Sequence, residues 1–323
     1  MGRHANSLLA GQFRKITLGA VSRMSTATQA TESARLIDPI ELVKIAFRGF
    51  GQVMFQGNAL TGLLFLAGIA VASPLMAVGA TIGAVIGPAL AYVLKFDRKE
   101  ITDGIYGFNP VLVGLALFFF LKPVALTWGL VVAGTALSAL VTYLMRRFLP
   151  FPTYTSPFVV CTWALLILAQ ALSGTGIDLN PAPPDKTVHG FIEAVLNGPA
   201  EVMLGANVAT GLLFLAGIAV SSWRHAALAL GASVVGTLIA LYHHDPDETV
   251  SIGIYGYNAV LAAIAVYLWK KSLVGPALAA IVSVPLTEFF PQSLGIPALT
   301  APFVAASWIV IALIALAPYF CKD

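Results

Sequence analysis

Thr155, Thr300 and Glu201 are the polar residues whose surroundings point to a functional site. The threonines stand in PTYTSPF (152–158) and PALTAPF (297–303), in which a Pro suited to the first turn of a helix follows two residues later. Each hydroxyl either caps that helix or faces a polar path, and the two roles are compatible. Glu201 lies either inside an apolar region, where an ionised group needs a partner or water, or at the outer interface of a membrane.

These residues have counterparts because the sequence is duplicated. TGLLFLAGIAVAS (61–73) matches TGLLFLAGIAVSS (210–222) at twelve of thirteen positions, at an offset of 149 residues. Other pairs follow in the same order at offsets of 149 or 145: Gln52 with Glu201, GIYGFN (104–109) with GIYGYN (253–258), and the two threonine segments. Ordered motifs of this kind exclude chance, and two long halves are the pattern of transporters that bind their solute between repeats.

Apolar side chains are also paired between the halves. Phe108 and Leu112 are four residues apart and share a helix face, and Tyr257 and Leu261 repeat that pair. Phe55 stands three residues after the first polar position of the duplicated pair. The alternative is that this stripe only packs the interior of a membrane helix, which is the usual role of aromatic residues there.

The elements that must position these groups follow from composition. The 323 residues are 58% hydrophobic and only 10% charged, with a net charge of +3. Soluble domains carry about 25% charged residues, so lipid must replace water around much of this surface. The two cysteines, Cys161 and Cys321, form neither a disulfide framework nor a metal site.

Ten apolar segments are predicted to cross the membrane. They are residues 58–73, 74–93, 109–121, 124–143, 158–171, 207–222, 226–241, 258–268, 274–290 and 303–319. Because each half has an odd number of crossings, the second half must run in the opposite direction. We therefore predict an all-α membrane protein of ten transmembrane helices, arranged as two inverted five-helix repeats. Gly, Pro and Asn breaks make its pore helices broken or re-entrant.

Charge placement supports this topology. With the N-terminus in the cytoplasm, sixteen of the eighteen Lys and Arg residues fall inside, as the positive-inside rule requires. Both termini are then cytoplasmic, and a bacterial inner membrane is the expected location. The predicted organisation is a disordered tail (1–37), a first repeat (38–175), an external linker (176–195) and a second repeat (196–323). A transit peptide is the alternative for the basic tail.

The sequence lacks the residues that several classes of protein function require. None of the five His lies in the middle of a predicted span, no Ser, His and Asp group is embedded, and neither a P-loop nor a dinucleotide fingerprint occurs. We expect no enzyme activity, no metal or cofactor and no nucleic-acid partner. One embedded carboxylate is a poor basis for a proton relay, so a passive channel fits better than a pump.

Three segments give the chain a family resemblance. GQVMFQGNALTGLLFLAGI (51–69), GIYGFNPVLVGLAL (104–117) and LPFPTYTSPF (149–158), with their second-half counterparts, closely resemble the urea transporter family. The likeness extends from about Asp38 to the C-terminus. It implies passive permeation of urea by a homotrimer in which each protomer has its own pore between inverted repeats.

The resemblance also implies how the pore is lined. Opposed aromatic and aliphatic side chains form a slot for the flat solute, and oxygens of the broken helices accept its N–H groups. Tyr257 departs from the phenylalanine expected opposite Phe108, and its hydroxyl would narrow or wet the slot. The alternatives are a channel for another small neutral solute, such as an amide, water or ammonia, or a non-conducting scaffold. The residues carried over are Gln52, Phe55, Phe108, Leu112, Thr155, Glu201, Val202, Tyr257, Leu261 and Thr300.

Overall fold

The computed structural model describes residues 38–173 and 190–320. The chain divides into two units, Met1–Leu42, of which only the last five residues are described, and Val43–Asp323. The predicted tail (1–37) and most of the predicted linker (176–195) lie outside the described residues. Apart from residues 39–42, which begin the first helix, the features that follow belong to the second unit.

The described residues form helices joined by short connections, so the all-α prediction is confirmed. Helices α1–α7 of the first half are Pro39–Gln52, Ala59–Ala72, Pro74–Val93, Arg98–Thr102, Phe108–Phe120, Ala125–Phe148 and Ser156–Ser173. Helices α8–α14 of the second half are Phe191–Glu201, Val208–Ser221, Trp223–His243, Asp247–Ser251, Ile254–Trp269, Val274–Glu288 and Ala301–Phe320. A short 3₁₀ turn, Gln292–Leu294, precedes α14.

Each of the ten predicted spans falls on an apolar helix. In the part of the chain that the structure describes, α3, α6 and α10 are long and apolar enough to cross a membrane by length and composition. The other seven apolar helices (α2, α5, α7, α9, α12, α13 and α14) are shorter. At about 1.5 Å per residue, a 14-residue helix such as α2 covers about 21 Å of an apolar core about 30 Å thick. The short helices therefore depend on neighbouring protein at the ends where they break.

The same side chains begin equivalent helices in both halves. The Asn58 carboxamide accepts the N–H groups of Leu60 and Thr61 at 2.8 and 3.2 Å, which caps α2. Asn207 caps α9 in the same way, through Ala209 and Thr210. Ser73 and Ser222 then cap α3 and α10. The same capping residues therefore begin the equivalent helices of the two halves.

Reciprocal hydrogen bonds join the two halves where α2 packs on α9. The hydroxyl of Thr61 donates to the carbonyl of Gly217 at 2.7 Å, and that of Thr210 donates to the carbonyl of Gly68 at 2.9 Å. The two hydrogen bonds are equivalent: in each, the threonine of one half donates to the glycine of the other half. Such an exchange is what a two-fold axis between equivalent halves produces.

A second reciprocal pair joins the halves near α7 and α14. The indole of Trp163 donates to the carbonyl of Pro297, and the indole of Trp308 donates to that of Pro152, each at 2.8 Å. The accepting prolines open the two threonine segments. The approximate two-fold axis therefore brings these segments together.

Candidate functional site

The broken regions hold a backbone that ordinary residues rarely adopt. Six non-glycine residues of the described chain have positive φ, and they form three repeat pairs. They are Phe55 (63°) and Leu204 (57°), Lys95 (59°) and His244 (59°), and Tyr154 (46°) and Leu299 (47°). Each such residue costs about 1–3 kcal/mol and persists only where its surroundings enforce it. Phe55 with Leu204 and Tyr154 with Leu299 lie at the broken helices of the two halves, whereas Lys95 and His244 follow the C-terminal ends of α3 and α10, where left-handed backbone is common.

A tight turn follows α1 and places Phe55. The N–H groups of Phe55 and Gln56 return to the carbonyls of Gln52 and Gly51 at 3.0 and 2.9 Å. A Cβ on Gly51 would lie 2.2 Å from the carbonyl oxygen of Gln56, so the backbone of this turn leaves no room for a side chain at Gly51. The second half repeats the two hydrogen bonds after Glu201, with Ala200 at the position equivalent to Gly51.

The two threonines singled out in the sequence meet each other. Their Oγ1 atoms lie 2.6 Å apart, and the side chains of Thr155 and Thr300 are buried. Each residue directly precedes the first turn of α7 or α14. Because they are repeat partners in direct contact, the approximate two-fold axis passes between their hydroxyls.

Two asparagines hold the helix starts beside these threonines. The carboxamide oxygen of Asn109 accepts the N–H of Phe158 at 3.2 Å, and that of Asn258 accepts the N–H of Phe303 at 3.1 Å. Both asparagines are fully buried. The motifs GIYGFN and GIYGYN, which end in these residues, thus fix the position of the threonine segments.

An aromatic cluster contains one ring from each threonine segment. The rings of Tyr154 and Phe303 have centroids 5.3 Å apart, and Phe55 packs edge-on against both, at 5.8 and 6.1 Å. Sequence reasoning identified Phe55 but missed its two partners. The signal was present, because Tyr154 immediately precedes Thr155 in the quoted motif.

Tyr257 makes the two halves unequal. Its hydroxyl donates to the carbonyl of Leu299 at 2.5 Å, and the ring is buried. Leu299 is one of the residues with left-handed backbone and directly precedes Thr300. The repeat partner Phe108, half-buried at the start of α5, has no hydroxyl and cannot bond to the corresponding carbonyl of Tyr154.

Glu201 and Gln52 occupy equivalent positions but have different surroundings. Glu201 ends α8 with 5% of its surface exposed and accepts the N–H of Ala206. Gln52 ends α1, and its amide donates to the carbonyl of Asp103 at 2.8 Å. The carboxylate thus lies in the protein interior rather than at an exposed interface, whereas Gln52 is partly exposed.

The remaining predicted residues are apolar and lie in the core. Leu112, Leu261 and Val202 are all 3% exposed or less. Val202 follows Glu201 directly, and the two leucines occupy the second turns of α5 and α12 in equivalent positions. They belong to one apolar cluster together with Phe303.

Two further hydroxyls were missed by sequence reasoning. Thr162 Oγ1 and Ser307 Oγ are buried, and neither has a hydrogen-bond partner within the described ranges. They are repeat partners, and each stands seven residues after Thr155 or Thr300, which puts it on the same helix face. The common offset and this spacing were the available signal.

Two equivalent helical halves that meet at broken helices with paired, buried polar groups define a membrane transport protein with internal repeats. A family model described as "Urea transporter" matches residues 43–315. Urea transporter 1 of Ovis aries is 28% identical over 308 residues, which cover 83% of this chain and 76% of that protein. Urea transporter 1 of Mus musculus is 29% identical over 246 residues, which cover 68% of this chain and 61% of that protein.

The chain belongs to the urea transporter family, because the family model spans most of its length. The resemblance seen in the sequence is therefore confirmed. Membership also makes the chain an integral membrane transport protein and not an enzyme.

Proposed function

We infer that this protein is a channel through which urea passes a membrane down its concentration gradient. The observation that carries the inference is the match of residues 43–315 to the urea transporter family. The geometry agrees with it, because the described residues bring buried oxygen atoms from both halves to one point without any arrangement suited to covalent chemistry.

We propose that the path of the solute crosses the contact between Thr155 and Thr300. Their hydroxyls lie 2.6 Å apart, so a solute passes only by replacing that hydrogen bond with its own. Urea is planar and rich in donors, and each desolvated N–H group without an acceptor costs a few kcal/mol. The two hydroxyls, followed by those of Thr162 and Ser307 on the same helix faces, offer successive partners.

The walls of the path explain selectivity in this proposal. Phe55, Phe108 and Tyr257, with Leu112 and Leu261, form an apolar slot that fits a flat, neutral molecule. Apolar walls give a hydrated ion no ligands to replace its water, so ions are excluded. Gln52, Glu201 and Val202 lie where α1 and α8 end, and the two polar side chains offer acceptors there.

The finer topology is also part of the proposal. Ten apolar helices coincide with the ten predicted spans, and reciprocal contacts support two halves related by a two-fold axis. We propose that this axis lies in the membrane plane, which inverts the repeats, with both termini in the cytoplasm. The charge distribution of the sequence supports that orientation.

The lipid contact and the assembly complete the proposal. Large apolar side chains are exposed around the described surface, including Val93 at 72% and Phe148 at 75%, and these fit a lipid environment. A homotrimer with one pore in each protomer is supported by the family resemblance alone, and the bacterial inner membrane stays a prediction.

Stopped-flow light scattering of proteoliposomes tests the function. A urea gradient should relax faster in vesicles with protein than in empty vesicles, and thiourea should compete. The same vesicles, challenged with a small amide, with ammonia or with an osmotic gradient for water, distinguish the alternative solutes. Water flux without urea flux would overturn the proposal, and no flux of any solute would favour a non-conducting scaffold.

A further inference from the structure

A cluster of ligating side chains lies away from the threonine pair, where α10 and α13 end. A ring nitrogen of His243, a carboxylate oxygen of Asp245 and a carboxylate oxygen of Glu288 all lie within 4.8 Å of one another. His243 Nδ1 and Glu288 Oε1 are 2.8 Å apart. The side chain of Glu288 is only 7% exposed, whereas that of His243 is 41% exposed and leaves the cluster open to a small ion.

One oxygen of this cluster has no partner. Oδ2 of Asp245 is buried and meets no donor at hydrogen-bonding geometry in the described part of the chain, although the hydroxyl of Tyr255 interacts with the same carboxylate. A buried carboxylate oxygen without a donor or a cation is costly. The existing contact between His243 and Glu288 does not relieve that cost, because it uses other atoms.

The first half shows that the fold does not require polar residues at these positions. The equivalents of Asp245 and Glu288 are Phe96 and Tyr143, whose rings stack with centroids 4.0 Å apart and planes 8° apart. The equivalent of His243 is Leu94. The register is secure, because Asn109 bonds to Thr142, and its counterpart Asn258 bonds to Thr287, each at 3.1 Å. All three positions therefore carry a metal-ligand type in one half and an apolar or aromatic type in the other.

We propose that His243, Asp245 and Glu288 bind a divalent transition-metal ion, of which Zn²⁺ is the representative. One imidazole nitrogen and two carboxylate oxygens suit Zn²⁺, at metal–ligand distances of about 2.0–2.2 Å, which the observed spacing permits after small adjustments. Ca²⁺ and Mg²⁺ prefer ligand sets made of oxygen alone. The bound ion would satisfy the buried oxygen of Asp245 and tie the end of α10 to the end of α13.

The test uses the purified full-length protein in detergent, without a polyhistidine tag, equilibrated with buffered Zn²⁺. Metal analysis should find one Zn²⁺ per chain beyond any background binding. Asp245→Asn and Glu288→Gln keep the side-chain shape but remove the charge, and each should weaken Zn²⁺ binding by about tenfold or more. Glu248→Gln is the matched control, because this exposed acid lies three residues from Asp245 outside the cluster, and it should bind as wild type does.

A second variant separates loss of the site from loss of the fold. Asp245→Phe combined with Glu288→Tyr installs the stacked pair of the first half, and it should elute as a folded protein without the Zn²⁺ site. Millimolar Ca²⁺ or Mg²⁺ should not displace Zn²⁺ from the wild type. Failure of the wild type to bind Zn²⁺, or equal binding by the wild type and all cluster variants, would overturn the proposal and leave only the contact between His243 and Glu288. Urea flux is not part of this test, so its outcome is independent of the transport proposal.

Discussion

At the scale of single residues, the central feature is a pair of hydroxyls that the two-fold relation brings into contact. A hydroxyl can donate and accept, so Thr155 and Thr300 satisfy each other's hydrogen bonding where they meet. On the path proposed above, they would offer both functions to a passing molecule. Burying the two hydroxyls therefore costs little free energy in the absence of solute, because each is hydrogen-bonded to the other. The neighbouring Tyr257 breaks the equivalence by occupying the carbonyl of Leu299.

Thr155→Val and Thr300→Val test the hydroxyl pair with side chains of nearly equal shape. Each substitution removes one of the two hydroxyls that the passing solute would bond to, which leaves a desolvated N–H group of urea without an acceptor at about 1–3 kcal/mol. Urea flux should therefore drop about tenfold, as stopped-flow measurements would show. Thr81→Val is the control, because its hydroxyl bonds within its own helix to the carbonyl of Ala77, and flux should be unchanged.

Tyr257→Phe restores the phenylalanine that stands opposite in the first half. Freeing the Leu299 carbonyl, an acceptor worth about 1 kcal/mol, should raise urea permeability about fivefold. Phe108→Tyr is the mirror variant and should lower permeability by offering a hydroxyl to the first half. Identical urea permeability in the wild type and both variants would remove Tyr257 from the site.

Glu201→Gln copies the residue that stands at the equivalent position of the first half. Because it replaces one of the two buried carboxyl oxygens by an NH2 group that cannot accept a hydrogen bond, we expect urea flux to fall several-fold in proteoliposomes at matched protein density. Glu193→Gln, on the same helix but two turns earlier, serves as the control. Wild-type flux in the Glu201 variant would count against a role for this carboxylate in the path.

At the scale of elements, close packing of α2 on α9 decides how the halves meet. Phe65 and Phe214 are equivalent residues whose ring centroids lie 5.0 Å apart. Each ring approaches a glycine of the opposite helix, and a Cβ on Gly68 would lie 2.5 Å from the Phe214 ring. The near-identity of the duplicated segments follows from this contact, because each sequence must provide both the ring and the space for the other ring.

Gly68→Ala should therefore destabilise the protein by about 1–3 kcal/mol, since the added methyl overpacks a contact between the halves. Thermal unfolding in detergent, followed by the loss of helical signal, would measure the effect. Gly231→Ala in α10 is the matched control, because nothing lies within 4 Å of its added methyl. Its helix should be unchanged or slightly more stable. Equal midpoints for the two variants would contradict the packing argument.

At the scale of the whole molecule, the question is the direction of the two-fold axis. An axis in the membrane plane puts equivalent positions on opposite sides, whereas an axis along the membrane normal puts them on the same side. Lys95 and His244 are equivalent, exposed and located just after α3 and α10. They report the direction without disturbing the site.

Lys95→Cys and His244→Cys, in a background with Cys161 and Cys321 replaced, make this measurable. An impermeant maleimide applied to intact cells should label the His244 variant and should reach the Lys95 variant only after the membrane is permeabilised. Equal labelling of both variants in intact cells would exclude inverted repeats. Urea flux through each variant serves as the control for a native fold.

The breaks, the helix caps and most of the candidate residues could be predicted because they are local. Asn58 and Asn207 are typical N-cap residues, and the Pro of each threonine segment is typical of the first turn of a helix. Both signals depend only on the neighbouring sequence. The partners of these residues could not be predicted in the same way. Which ring packs on Phe55, and which carbonyl Tyr257 reaches, depends on how helices far apart in sequence align, and periodicity does not encode this.

The sequence by itself determined the duplication, the membrane character and the family, and it identified the two threonines as candidate site residues. Each of these conclusions follows from composition or from a repeated motif. The tertiary structure alone decided that the two threonine hydroxyls touch and that Tyr257 holds Leu299. It also brought together the ligating atoms of His243, Asp245 and Glu288, which no sequence motif connects. Their ligating atoms converge because α10 and α13 end side by side, and only packed helices create that proximity.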